Sequence, residues 1–250
     1  MHFIFSIEGN IGSGKSTLVE FLKKSKKNIQ LVNLPIIYLQ EPVDQWDKIK
    51  NENGISILEE FYKDPKTWAF SFQMMAYISR LSLLKKTIRE NPDSIIITER
   101  STFTDRNVFA KMLYDEKNIS HIDYQIYNTW FGEFVKELTL SGIIYVKTSP
   151  NKCSERIKKR NRIGENIEIK YLNKCAQYHD DWIEPQDNVL FLNGDIDFTE
   201  SNEVLNKRIR SIFNFIFETP VIKKSCEAID FEEKKTHFFK QPINSFGATF

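Results

Sequence analysis

Short apolar runs alternate with helical stretches along the whole chain. Phe3 to Ile7 reads as a strand, and Gly14 to about Lys27 as a helix. Ile36-Ile37-Tyr38-Leu39 is a second strand that leads into Glu41-Pro42, and a helical stretch follows over Ile55 to Tyr62. Pro65 suits the first position of a long helix running to about Arg89. After the Asn91-Pro92-Asp93 turn, Ser94 to Thr98 is a continuous isoleucine-rich run, the pattern of a strand buried on both faces. Helices are predicted over Thr104 to Asp115 and Asp123 to Leu140, and a fourth strand over Gly142 to Val146. Pro150 to Arg162 and Glu168 to Ile183 read as helices, Val189 to Leu192 as a fifth strand, and Glu200 to Phe217 as the last helix.

Strand and helix in alternation imply a parallel sheet with helices on both faces. In such sheets ligands bind beyond the carboxyl ends of the strands. Gly9 onward, Glu41 and Glu99 lie at those ends. A single domain is expected over 1–218, and the charged stretch 219–250, which has no clear period, reads as an appended tail or surface wrap.

The 250 residues, 41% of them hydrophobic, suffice for one α/β domain or a tight pair. A net charge of +1 gives no reason to expect nucleic acid or membrane as partner. The basic cluster Lys23-Lys24-Ser25-Lys26-Lys27 reads as a solvated helix end. Cys153, Cys175 and Cys226 are far apart, which suggests free thiols in a reducing compartment. His2, His121, His179 and His237 are equally scattered, which argues against zinc. The first strand begins at the start of the chain with no leader before it, and no apolar run is long enough to cross a bilayer, so a soluble, cytoplasmic protein is expected.

Gly9-Asn10-Ile11-Gly12-Ser13-Gly14-Lys15-Ser16 matches G-x-x-x-x-G-K-[ST] between a strand and a helix, the context this phosphate-binding loop requires. Its glycines let backbone N–H groups curl around a phosphate chain, and the helix N-terminus adds partial positive charge. Lys15 is expected on the β- and γ-phosphates and Ser16 on Mg²⁺, with Thr17 completing the loop. A switch GTPase would also carry Asn-Lys-x-Asp; Asn151-Lys152-Cys153-Ser154 and Asn173-Lys174-Cys175-Ala176 both lack the aspartate. That favours a kinase or ATPase.

Glu41 could face the terminal phosphate and accept the proton of an attacking hydroxyl, although a glutamate before proline is by itself more readily a surface residue. Glu99, at the end of the third strand, can hold magnesium, and Arg100 can neutralise charge developing in phosphoryl transfer; a structural salt bridge is the other reading of the pair.

Together these segments resemble the deoxyribonucleoside kinases, in particular the deoxycytidine and deoxyguanosine kinase branch. The resemblance rests on Glu8 to Thr17, Glu41-Pro42-Val43 with Trp46, Tyr62-Lys63-Asp64-Pro65 with Trp68, and Phe72-Gln73. It continues through Glu99-Arg100-Ser101, Arg156-Ile157 with Arg160 and Arg162, and Tyr171-Leu172 with His179 and Trp182, and covers roughly Phe3 to Phe217. It implies a P-loop NTPase-type five-stranded parallel sheet with a helical lid near 150–170. It also implies transfer of the γ-phosphoryl of ATP, with Mg²⁺, to the 5′-hydroxyl of a deoxynucleoside, a role in nucleotide salvage and DNA precursor synthesis, a homodimer, and feedback inhibition by a deoxynucleoside triphosphate. Glu41 matches the family's base, Arg100 the arginine on the 5′-oxygen and moving phosphoryl, and Glu99 the magnesium-side acid. Arg160 and Arg162 match the lid arginines, Tyr62 and Glu165 the contacts to the sugar 3′-hydroxyl, and Asp197-Phe198 the loop around the donor base. At Glu165 the chain departs from the family, being one residue shorter before Tyr171.

Gln73, Ala76 and Arg80 fall at i, i+3 and i+7 and so share one helix face. The Gln73 amide offers a donor and an acceptor to the edge of a base, Phe109 can stack on it, and Trp46 and Phe72 line the pocket. The thymidine-accepting members of the family have uncharged residues where this chain has Arg80 and Asp105. A carboxylate there accepts from the amino group of cytosine or adenine but meets thymine O4 acceptor to acceptor, a mismatch worth about 1–3 kcal/mol. Deoxycytidine, deoxyadenosine or deoxyguanosine is therefore expected over thymidine, with no rank among the three. A structural ion pair is the other role open to Arg80 and Asp105. A nucleoside monophosphate kinase shares the fold but usually carries Asp-Arg where this chain has Glu99-Arg100. A catalytically silent nucleotide-binding module would have no need of Glu41.

Overall fold

A computed structural model describes residues 2–25, 34–162, 165, 167–197, 201–220 and 222. Its elements are β1 (His2–Glu8), α1 (Lys15–Ser25), β2 (Ile36–Leu39), α2 (Val43–Trp46), α3 (Ile57–Lys63), α4 (Pro65–Glu90) and β3 (Ser94–Glu99). There follow α5 (Thr102–Thr104), a π-helical turn (Asp105–Ala110) that continues into α6 (Lys111–Asp115), and α7 (His121–Val135). Then come β4 (Gly142–Lys147), α8 (Pro150–Arg160), α9 (Ile169–Ile183), β5 (Val189–Asn193) and α10 (Asn202–Glu218). The five strands are all parallel in the order β2-β3-β1-β4-β5, as the alternating pattern predicts.

Side chains alternate across each strand, so β1 feeds two cores. Phe3, Phe5 and Ile7 pack with Leu18 and Leu22 of α1 and with Ile209 and Phe213 of α10. Ile4 points the other way, among Tyr77 and Leu81 of α4 and Tyr127 and Phe131 of α7. Burial on both faces is why the inner strands β1, β3 and β4 read as largely apolar runs. Truncating a side chain such as Phe213 to alanine would cost about 3–5 kcal/mol.

The caps differ from the sequence boundaries by a few residues, each for a local reason. Ser56 and Glu59 form a capping box that starts α3 at Ile57 rather than Ile55. The Asp64 carboxylate accepts from the N–H of Thr67 (3.3 Å) ahead of Pro65, as expected for α4. Ser120 caps α7, which stops at Val135 instead of Leu140; Leu138 and Leu140 pack beneath the sheet from a turn, and Ser141 N–H already bonds Ile4 O (2.7 Å). The left-handed Asn161 (φ 47°) closes α8 at Arg160 and leaves Arg162 beyond the helix. The last helix begins in the structure at Asn202; its predicted first residue, Glu200, lies outside the described residues. Of the predicted tail, Thr219 caps α10 and Ile222 is buried against the first core; residue 221 and residues 223–250, with Phe198 and Lys26-Lys27, lie outside the described residues. Among the described residues no helix is long and apolar enough to cross a membrane.

Candidate active site

The strands β1, β2 and β3 end side by side and open onto a cavity of about 670 Å³. The loop between β1 and α1 forms its floor. Gly9, Gly12 and Gly14 all have positive φ, and two of them are held close to neighbours: a Cβ on Gly9 would lie 2.6 Å from Val146 O, and one on Gly12 2.6 Å from Cys153 O. Asn10 anchors the loop to α9 through Leu172 O (2.8 Å), and its Oδ1 accepts from Ile11 N–H (2.8 Å). The Lys15 ammonium donates to Gly9 O (3.0 Å), Asn10 O (2.7 Å) and the Ser13 hydroxyl (3.3 Å). Burial pushes it down to about 7, and the Arg100 charge acts in the same direction. Ile11, Gly12, Gly14, Lys15, Ser16 and Thr17 face the cavity.

The Ser16 hydroxyl donates to Glu99 Oε1 at 2.5 Å. A hydroxyl and a carboxylate oxygen side by side at the start of α1, against the phosphate loop, are the hard donors that suit Mg²⁺.

Glu41 lies beyond β2 and is held between two guanidinium groups. One Arg100 nitrogen stands 2.9 Å from both of its oxygens, and Arg80 donates to Oε1 at 2.9 Å. Burial works to raise this carboxyl, but the Arg100 and Arg80 charges outweigh it and hold Glu41 at about 2. Arg80 makes four hydrogen bonds: to Asp105 at 2.9 and 3.3 Å, to Glu99 O at 2.9 Å, and to Glu41. Burial opposes its charge, yet the Asp105 and Glu41 carboxylates raise its pKa. For Asp105 burial prevails over the Arg80 guanidinium and moves the carboxyl up to about 6.

Gln73, Ala76 and Arg80 do share the cavity face of α4 and are buried there. Gln73 Oε1 is buried without a hydrogen-bond partner among the described residues. Phe72 stacks on Phe61 (4.8 Å) and meets Trp46 edge-on (5.4 Å), and the Trp46 indole N–H donates to Ser79 Oγ (2.9 Å). Opposite them the π-helical turn brings Asp105 and Phe109 to the same cavity. Phe109 lies beneath the Arg100 guanidinium (5.2 Å) and edge-on to His179 (6.1 Å).

Tyr62, Glu165, Arg160, Arg162 and Asp197 complete the lining. Arg160 and Glu165 are paired, one Arg160 nitrogen lying 2.6 Å from each carboxylate oxygen. Every sequence-predicted site residue therefore borders the cavity or belongs to its phosphate loop, apart from Phe198, which lies outside the described residues. Sequence reasoning gave no role to Arg156, which joins Ser13 O (3.2 Å) to Gly194 O (2.9 Å) at the cavity edge. Its position one turn before Arg160 was the available signal. Phe61, the partner of Phe72, had no signal beyond its apolar character.

The family model described as deoxynucleoside kinase matches residues 5–241. The chain belongs to the deoxynucleoside kinase family. The match runs past Phe217, where the recognisable motifs end. A probable deoxycytidine kinase of fowlpox virus (strain NVSL) is 36% identical over 227 residues, covering 87% of this chain and 89% of that protein. Deoxycytidine kinase 2 of Gallus gallus is 35% identical over 192 residues, 71% of this chain and 72% of its own length. The mitochondrial deoxyguanosine kinase of Xenopus laevis is 28% identical over 239 residues, 82% and 88% respectively. The chain is thus a deoxynucleoside kinase, a phosphotransferase built on a P-loop sheet.

Proposed function

We propose that this deoxynucleoside kinase uses ATP and Mg²⁺ to phosphorylate the 5′-hydroxyl of deoxycytidine, deoxyadenosine or deoxyguanosine in preference to thymidine. The observation that carries the proposal is the convergence of Glu41, Arg100 and Arg80–Asp105 in the cavity floored by the phosphate loop. The loop N–H groups and Lys15 bind the donor phosphates. Ser16 and Glu99 would hold Mg²⁺, and the ion would supply charge neutralisation at the donor phosphates. Arg160 and Arg162 close over the phosphates from the lid. Glu41 orients the 5′-hydroxyl and takes its proton, while Arg100 stabilises the same oxygen and the moving phosphoryl. A base with a pKa of about 2 is weak, but a loose phosphoryl-transfer transition state asks chiefly for position and charge stabilisation.

Tyr62 and Glu165 receive the sugar 3′-hydroxyl. The base lies between Phe109 and the Trp46–Phe72 wall, its edge read by Gln73 and by the Arg80–Asp105 pair, with Ala76 leaving room above α4. The names of the relatives, deoxycytidine and deoxyguanosine kinases, support that choice of bases. Asp197 borders the donor end of the cavity. A deoxynucleoside triphosphate spanning donor and acceptor sites would inhibit.

The reading includes a homodimer. Ile122, Ile126, Trp130 and Phe134 recur every fourth residue of α7, all exposed, with Ile78 of α4 also exposed. An apolar stripe of this kind on a helix surface suits an isologous contact with a second copy. Buried free Cys153 and Cys175 suit a reducing cytoplasm, where the enzyme would serve nucleotide salvage and DNA precursor synthesis. The test is label transfer from γ-labelled ATP to deoxycytidine. Label in the 5′-monophosphate, lost on chelation of Mg²⁺, is expected; no transfer with any deoxynucleoside would overturn the proposal.

A further inference from the structure

Glu8, the last residue of β1, is fully buried, yet it has no part in the reaction as described above. Its Oε2 accepts from the Thr104 hydroxyl at 2.5 Å. That contact commits the Thr104 proton to Glu8 and leaves the oxygen's lone pairs free to accept. Ser101 supplies both donors, its backbone N–H at 3.4 Å and its hydroxyl at 3.3 Å, while Thr104 N–H returns a bond to Ser101 Oγ (3.3 Å).

The residue just before Ser101 is Arg100, which is left-handed at φ 59°. A side chain with a Cβ persists in that region only where its surroundings over-determine it. Here both flanks are pinned by the end of β1. Arg100 N–H donates to Ile7 O at 3.0 Å, and the next N–H, that of Ser101, reaches Glu8 through Thr104. A third, longer contact runs from the Arg100 side chain to Gly9 O (3.5 Å). Ile7 and Gly9 thus bond Arg100 directly, and Glu8 braces the following residue through Thr104, at the point where the strand becomes the phosphate loop.

We propose that Glu8 and Thr104 are positioning residues for phosphoryl transfer: the Glu8 carboxylate orders the Thr104 hydroxyl, which fixes the Ser101 backbone and so holds Arg100 in the conformation that delivers its guanidinium to Glu41. The proposal rests on the role given above to Arg100. It adds that the phosphate loop and the catalytic arginine share one hydrogen-bonded brace, so the site where the donor binds and the group that acts on the acceptor oxygen are set together.

Thr104→Val removes the hydroxyl at nearly constant shape. It is expected to lower kcat by about 10- to 100-fold, as a small misplacement of a catalytic group does, with the KM for the nucleoside within about threefold. Thr104→Ser should stay within about threefold of wild type, since it restores the hydroxyl. In an Arg100→Ala background Thr104→Val should cost less than about twofold, because the group it positions is gone. Should Thr104→Val not fold, Glu8→Gln, which offers a weaker neutral acceptor, should still lower kcat several-fold at unchanged KM. Wild-type kcat in folded Thr104→Val or Glu8→Gln, or a full additive loss in the Arg100→Ala background, would overturn the inference while leaving the role of Arg100 standing. Wild-type kcat in Arg100→Ala itself would overturn both.

Discussion

A single guanidinium nitrogen of Arg100 lies 2.9 Å from both carboxylate oxygens of Glu41. Arg80 adds a second positive partner at 2.9 Å. The carboxylate is therefore ionised throughout the neutral range.

Glu41→Gln keeps the shape and removes the proton acceptor. It should lower kcat by about 10²- to 10⁴-fold, with the nucleoside KM changed far less. Steady-state kinetics with deoxycytidine check this; a loss confined to KM would assign Glu41 to binding alone.

Arg80 and Asp105 should set the choice of base. Removing one partner of a buried pair strands the other charge, at about 3–5 kcal/mol, so the informative variant replaces both. Arg80→Leu with Asp105→Ala should shift the ratio of kcat/KM for thymidine over deoxycytidine upward by about tenfold or more, equivalent to ~1.4 kcal/mol, although absolute activity falls with the loss of the Arg80–Glu41 contact. An unchanged ratio would leave the pair a structural one. The carboxyl of Asp105, raised to about 6 by burial, adds a pH signature. As the pH falls through 6 it gains a proton and can donate to thymine O4, so wild-type discrimination against thymidine should narrow between pH 7.5 and 5.5.

The phosphate loop was legible because its chemistry is contiguous in sequence and its flanking strand and helix are strongly patterned. Glu41, Glu99 and Arg100 were legible from the rule that parallel strands present their carboxyl ends to ligands. What escaped depends on contacts that no local spacing encodes. The left-handed backbone of Arg100 and the Glu8–Thr104–Ser101 chain join residues 96 apart in sequence, in a core position that reads simply as the end of a strand. The π-helical turn at Asp105–Ala110 shifts the hydrogen-bond register by one residue without altering the apolar pattern. The Leu138–Leu140 run reads as a continuation of the helix because of its apolar residues, but they pack against the core from an irregular segment after α7.

His179 is buried beside Phe109, and its Nδ1 lies 2.6 Å from Cys175 O. Burial lowers its pKa to about 3, against the raising effect of that carbonyl. The folded protein thus binds a proton here less readily than the unfolded chain. The stability this contributes is complete above about pH 6.5 and is lost as the pH falls from there towards 3. Well below pH 6.5 wild type should lose about 1.4 kcal/mol per pH unit more than His179→Gln. Urea unfolding at pH 7.5 and 5.0 measures the difference, and parallel pH profiles would contradict it.

The apolar stripe on α7 should hold two copies together. Trp130 is 47% exposed and stacks on Phe134 at 5.5 Å, so Trp130→Glu places a charge in the middle of the stripe. Sedimentation should show a dimer for wild type and a monomer for the variant. A wild-type monomer at micromolar concentration would remove the dimer from the account.

The most direct test of the central claim is a substrate panel in which purified protein, ATP and Mg²⁺ meet deoxycytidine, deoxyadenosine, deoxyguanosine, thymidine and dTMP separately. The account predicts 5′-phosphorylation of one or more of the first three, with thymidine at least about tenfold poorer in kcat/KM and dTMP inert. Thymidine as the best substrate, or turnover of dTMP alone, would contradict it.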